Sequence, residues 1–282
     1  MEINFCHIAP TRYLQRYTKQ NGAHLILAHL VEQDAAYRDY YFNLSDGKYK
    51  IMDNSAFEMF KQGRPMYNSA KLIAMADMCR ASCVVLSDYP KEPWEKTVDT
   101  ALAMRRSIAD AGLDMFYVPQ SELGDLDGLL HSISWALEQP WIRLIGLSIL
   151  ACPIALGIDE QMKQSDRRDG YKLQRYLSRF YVLQQLERAG LLTSKAIKRF
   201  HCLGMVDGPN EIDLLKPYHD FIWTWDSSAA VWCGLNGISF DMSPTGLING
   251  KFEQEVDFSC DRGDDYDQLV FNNIEFINSK VA

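Results

Sequence analysis

The feature that most constrains this chain is a recurring run of apolar, β-branched and aromatic residues of strand length. Such runs lie at His24–His29, Tyr49–Met52, Cys83–Leu86, Met115–Val118, Ile142–Leu147, Phe200–Met205 and Phe221–Trp225, with a shorter candidate at Ile3–Ile8. Between most of them the apolar residues recur at helical spacing: Ser69–Cys79, Glu92–Ala111, Leu126–Leu137, Tyr171–Ala189 and Asn210–Leu215. Strand alternating with helix predicts βα units and a mainly parallel sheet. The residues ending successive runs are 35 (Asp53 to Asp88), 32 (to Gln120) and 26 (to Gly146) positions apart, close to a βα unit of about 30 residues. The next interval, to Gly204, is 58 residues, and the last, to Asp226, is 22. Seven or eight strands, with no G-x-G-x-x-G and no G-x-x-x-x-G-K-[ST], favour an α/β TIM-type (β/α)8 barrel over an open nucleotide-binding sheet. The expectation is one domain over 1–282, with a basic helical insertion at about 151–199.

Charge narrows the partners. The chain carries a net charge of -8, which argues against a generally basic nucleic-acid binder. Residues 160–199 nevertheless hold ten Lys or Arg against four acids. Such a segment is either a solvated helix face or a local site for phosphates. No apolar run reaches the roughly 18 residues of a membrane helix, and the N-terminal residues lack a signal-peptide pattern, so a cytoplasmic location is expected. Seven scattered cysteines suit reduced thiols better than a disulfide framework. The six histidines show no H-x-H or H-E-x-x-H spacing, so no metal and no cofactor are expected.

In a barrel of this type the reactive groups follow the strands. The residues in question are Asp53 in KIMDNSAFE, Asp88 in VVLSDYP, Gln120 in FYVPQSE, Gly146 in RLIGLS, Gly204 in HCLGM and Asp226 in FIWTWDSS. Each aspartate alone has a plainer reading as a helix cap or Asx turn. Three aspartates and one glutamine at strand ends, without G-x-S-x-G, point jointly to carboxylate chemistry. Two aspartates with separated pKa values can act as nucleophile and proton donor in glycosyl transfer. A third carboxylate plus an amide suits a base edge rich in N–H donors, such as guanine.

At these residues the sequence resembles the tRNA-guanine transglycosylase superfamily, most of all the phage DNA-guanine transglycosylases that insert 7-deazaguanine bases into DNA. Asp53-Asn54-Ser55-Ala56-Phe57 is similar to the family's D-S-G-G-F block, and Asp88 to its base-reading aspartate. Val118-Pro119-Gln120 is similar to V-Q-G, and Ile145-Gly146-Leu147 to I-G-G-L. His201 to Met205 and Trp225-Asp226-Ser227-Ser228 through Gly237 match its G-V-G and F-D-C-x-x-P-T-R segments in order. The resemblance covers about residues 45–240.

The resemblance implies a glycosyltransferase (a pentosyltransferase) that replaces guanine in nucleic acid. Asp226 would be the nucleophile and Asp53 the proton carrier. Asp88, Gln120 and the Gly146–Leu147 backbone would read the base, with Phe57, Tyr89 or Met205 stacking on it. The partners implied are DNA, or alternatively tRNA, together with guanine and a 7-deazaguanine such as 7-cyano-7-deazaguanine. For a phage protein the compartment would be the host cytoplasm. Arg167, Arg168, Lys172, Arg175 and Arg179 are the expected phosphate contacts. The chain departs from the tRNA enzymes in lacking their C-terminal Cys/His zinc motif and the arginines after the nucleophile. A non-catalytic accessory subunit would keep the barrel but lack Asp226, and a glycosidase on free nucleosides would have no use for the basic stretch.

Overall fold

The computed structural model describes residues 2–159, 168–206, 208–240 and 256–282, without the side chains of Arg168 and Asp169. Eight parallel strands form a nearly closed barrel: β1 Asn4–His7, β2 Ala23–Leu27, β3 Tyr49–Asp53, β4 Cys83–Val85, β5 Asp114–Tyr117, β6 Ile142–Ser148, β7 Phe200–Leu203 and β8 Ile222–Ser227. Their order is β1-β8-β7-β6-β5-β4-β3-β2, so chain neighbours are spatial neighbours throughout. All seven ladders are parallel. Strands covered on both faces read as continuous apolar runs, which is why AHLIL in β2 and CVV in β4 are buried at every residue. The chain folds as the (β/α)8 barrel that its periodicity predicts.

The eighth seam, between β1 and β2, is held differently. Gly22 N–H donates to the Phe5 carbonyl at 2.9 Å. The Asn21 side chain then takes the place of a ladder residue, accepting from His7 N–H at 3.0 Å and donating to the His7 carbonyl at 3.3 Å. The two chains approach so closely that a Cβ on Gly22 would lie 2.7 Å from Asn4 Cα.

The helices are α1 Leu14–Tyr17, α2 Ala28–Gln33, α3 Ala35–Asn43, α4 Ala56–Gln62, α5 Ser69–Cys79, α6 Trp94–Asp110, α7 Leu126–Glu138, α8 Ala151–Ala155, α9 Arg168–Arg188, α10 Asn210–Leu214, α11 Ala229–Leu235 and α12 Asp267–Val281. Their starts are chemically marked. Asp34 accepts from the N–H groups of Ala36 and Tyr37, Asn68 from Lys71 and Asp125 from Gly128, satisfying donors that a helix start leaves unpaired. The end of α3 is met by buried Lys50, whose Nζ donates to the carbonyls of Tyr41 and Leu44 at 2.7 Å each.

One expectation is refined. The stretch read as an insertion over 151–199 supplies α8 and α9, and α9 is itself the long helix between β6 and β7, burying Val182, Leu183 and Leu186 against the core. The chain's last helix, α12, packs so tightly on α11 that a Cβ on Gly234 would fall 2.6 Å from Val270 Cγ2. All seven cysteines are buried and unbridged. Among the described residues no helix is long and apolar enough to cross a membrane.

The seam yields a first prediction. Gly22→Ala puts a methyl into backbone rather than into a yielding side chain, so β1 and β2 must part. We expect a loss of about 1–3 kcal/mol in urea unfolding, the usual cost of overpacking. Wild-type stability in this variant would show that the seam does not constrain the barrel.

Candidate functional site

The parallel register brings the C-terminal strand ends to one mouth, and three groups of polar residues meet there. The first surrounds Asp88, three residues beyond β4 and only 2% exposed. Its Oδ1 accepts from Asn54 Nδ2 at 2.6 Å and its Oδ2 from Gln120 Nε2 at 2.5 Å. Asn54 is held in turn by donating to the Leu86 carbonyl at 2.7 Å. Burial pushes the Asp88 carboxyl up to about 6, against the pull of the two amide donors. Because Gln120 gives its N–H to Asp88, its Oε1 points elsewhere, and that oxygen is buried with no partner among the described residues. A buried acceptor left unmatched is costly in a resting protein and is answered by an N–H donor on a ligand.

The second group is built on Asp53, the last residue of β3. Burial raises its carboxyl well above the usual range, and the negative charges of Glu58, Asp226 and Asp88 add to the effect. Its Oδ2 accepts from Ser55 N–H at 2.9 Å. That bond requires an unusual backbone: Ser55 has φ 54°, the left-handed region that favours glycine. The strain, of order 1–3 kcal/mol, is offset by a latch to β2's end. Ser55 Oγ accepts from His29 N–H at 3.1 Å and lies 2.9 Å from His29 Nδ1. Burial, with the charge of Arg64, drives the His29 ring down to about 4.

The third group is Asp226, the penultimate residue of β8. Its Oδ1 accepts from His201 Nε2 at 2.8 Å and from Gly204 N–H at 3.1 Å, while Oδ2 has no partner among the described residues. His201 is itself oriented, with Nδ1 at 2.6 Å from Thr224 Oγ1 on the neighbouring strand and its ring against Phe116 at 5.1 Å between centroids. The carboxylate therefore has one oxygen fixed by two donors and one left to act.

Behind this group sits Arg179, which is fully buried. It donates to both oxygens of Glu211 at 2.7 and 2.5 Å, and to the carbonyls of Leu147, Leu203 and Gly204 at 3.1, 3.3 and 2.9 Å. Glu211 Oε2 also accepts from Val206 N–H at 2.7 Å, and Trp225 Nε1 donates to the Gly204 carbonyl at 2.8 Å. The turn that presents Gly204 N–H to Asp226 is thus tied on both sides.

These placements sort the sequence expectations. Asp53, Asp88, Gln120 and Asp226 occupy the mouth. Phe57 stands beside it, 40% exposed, with Lys61 Nζ 4.4 Å from its ring centroid. Tyr89 carries Lys96 at 4.5 Å over its ring, and Met205 is half-buried against the core. Gly146 and Leu147 lie within β6, in the ladder with β7. A Cβ on Gly146 would come within 2.9 Å of Leu203 and Val118, so this glycine answers a packing need.

Arg179 is a correction: a guanidinium sealed inside the protein and paired with Glu211 cannot touch a phosphate. On α9 it falls on the same stripe as Tyr171, Val182 and Leu186, all buried, but half-buried Arg175 shares that stripe, so spacing alone did not single it out. Lys172 and Arg175 are half-buried. Arg167, and the side chain of Arg168, lie outside the described residues.

Two site residues escaped the sequence reading. His201 sits one pairing step from Thr224 inside a strand, where a histidine in an apolar run looks like core. Glu58 follows Asp53 by five residues on α4; burial raises its carboxyl, and Asp226 adds to the rise against Lys61. Among the described residues no cluster of three or more His, Cys, Asp or Glu could hold a metal ion. No protein-family description and no curated protein matches the chain.

Two predictions follow from this geometry. Asp88 accepts hydrogen bonds best when ionised, and its carboxyl titrates near 6. Affinity for guanine, followed by calorimetry, should therefore be full above about pH 7 and fall as the pH drops through 6, with the loss absent in Asp88→Asn. A flat profile in wild type would remove Asp88 from base recognition. For the buried pair, Arg179→Met should cost about 3–5 kcal/mol in urea unfolding, because it strands the Glu211 carboxylate. Adding Glu211→Leu should recover most of that loss.

Proposed function

We propose that this protein is a guanine transglycosylase, exchanging guanine in DNA for a 7-deazaguanine through a covalent glycosyl-aspartate. The observation that carries the reading is the division of labour among buried carboxyls at one mouth. Asp226 is held by donors on one oxygen, Asp53 has its carboxyl raised well above the usual range by burial and neighbouring charge against one backbone donor, and Asp88 is joined to two amides. Donors stabilise the charged form of a carboxyl, and burial beside like charges stabilises the neutral form. One site thereby contains a nucleophile and a proton donor.

In the first step Asp226 Oδ2 attacks the sugar C1′ of the target nucleotide. The C1′–N9 bond breaks, its electron pair goes to the base, and the Asp53 proton neutralises the departing guanine. His201 and Gly204 steer Oδ2 by fixing Oδ1, and they take up the change in charge as the ester forms. In the second step the incoming 7-deazaguanine occupies the same pocket. Asp53, now a carboxylate, removes its N9 proton, N9 attacks C1′, and Asp226 leaves as a carboxylate. Guanine's N1–H and exocyclic N–H donors match the Asp88 carboxylate and the unpartnered Gln120 Oε1. Reaching C1′ in a duplex requires the target nucleotide to leave the stack, at a cost of a few kcal/mol.

The test is incorporation of labelled guanine into DNA and, in parallel, into tRNA. We expect exchange into DNA, and Asp226→Asn should lower it by at least about a thousandfold while leaving guanine binding intact. Comparable turnover in the Asn variant would remove the covalent step. Exchange into tRNA alone would assign the chemistry to RNA.

A further inference from the structure

A narrow surface cleft runs beside the mouth, between α4 and the start of α9. On α4 the residues Phe57, Phe60 and Lys61 follow at i, i+3 and i+4, so they share one face. Phe60 is 41% exposed and has no ring or cation partner among the described residues. Across from it stand Arg175 on α9 and Lys91, which reaches Asp159 at 3.1 Å. Between them the floor is apolar, formed by residues such as Ile149, Pro153 and Ile158. The groove is continuous with the catalytic mouth at two points. Phe57 follows Asp53 by four residues, and Ile149 lies so close to Gly204 that a Cβ there would meet its Cδ1 at 2.8 Å.

We infer that this groove is a subsite for the single DNA strand next to the target nucleotide. Phe60 stacks on the adjacent base, and Lys61, Lys91 and Arg175 hold the phosphates on either side of it. Among the described lining residues, three cations against the carboxylate of Asp159 complement a polyanion on a protein whose net charge is -8. An exposed aromatic ring flanked by cations is the pairing that single strands use, since every base has a face to stack. The apolar floor selects deoxyribose, because a 2′-hydroxyl lowered onto it would lose water without gaining a partner. This inference rests on the proposed base exchange only for the identity of the target nucleotide.

The probe is a fluorescein-labelled single-stranded oligodeoxynucleotide with one central deoxyguanosine, bound to the full chain and followed by anisotropy. Phe60→Ala should weaken binding about tenfold, within the range found for loss of one base stack. An abasic sugar next to the deoxyguanosine, on one side or the other, should cost wild type a similar factor and cost Phe60→Ala nothing further. Lys91→Gln and Arg175→Gln should each lower the log–log salt slope by about 0.7, the release expected per phosphate on a single strand. Free guanine affinity should be unchanged in all three variants.

An abasic penalty that is the same with and without Phe60, or salt slopes equal to wild type, would overturn the subsite. Equal or tighter binding of the corresponding RNA strand would overturn its assignment to DNA. Groove-dependent DNA binding without guanine exchange would retire the transglycosylase reading and leave the subsite standing. Exchange with groove variants that bind like wild type would do the reverse.

Discussion

Arg179 is a cation without access to water, and the mouth of the barrel at β6, β7 and β8 is organised by the need to satisfy it. Burial alone disfavours its charge, but Glu211 more than restores it. A bare ion pair in such a place barely compensates for the water it gives up. Here three backbone carbonyls complete the guanidinium's bonding, so the pair acts as a tie between β6, β7 and the turn after β7. The same Gly204 that gives its carbonyl to Arg179 gives its N–H to Asp226. Movement of that turn by a fraction of an ångström would be felt at the carboxylate, although Arg179 never approaches a substrate.

The second constraint is electrostatic crowding. Burial raises the carboxyls of Asp53, Glu58 and Asp88, and the charge of Asp226 adds to the rise at Asp53 and Glu58. The fold resolves this by distributing donors unevenly. Asp226 receives a ring N–H and a backbone N–H, and Asp88 receives two amides. Asp53 receives a single backbone N–H, from a residue in left-handed conformation, and is surrounded by the others' charge. The uneven donor count thus leaves Asp53 the carboxyl least supported as an ion, and His29 and Ser55 matter because they hold the one donor that it has.

Strands were readable in this sequence because both faces of a parallel barrel strand are buried, so CVVL or RLIGL leaves no ambiguity of face. The aspartates at the ends of β3 and β8 and just beyond β4 were readable for a related reason: polar residues that stop an apolar run lie near a strand's end. Helix α2 was not, since it begins on the residue after β2 and its apolar residues continue that run. His201 was hidden by its strand, and its value comes from a partner, Asp226, 25 residues away. Arg179 was misassigned because charge count says nothing about direction. Helical phase does not separate it from Arg175, four residues earlier on the same face; what seals it in is Glu211, which accepts from its guanidinium on both oxygens.

That difference in burial bears on how an acidic protein can accept a polyanion. Net charge sets the long-range field, which at physiological salt decays over about 8 Å. Within that distance a strand entering the groove would sense Lys61, Lys91 and Arg175 far more than the dispersed acids elsewhere on the surface. In the proposed reaction, burial and the charges of Glu58, Asp226 and Asp88 favour the neutral form of Asp53, so this carboxyl would repel an incoming phosphate less than an ionised one would.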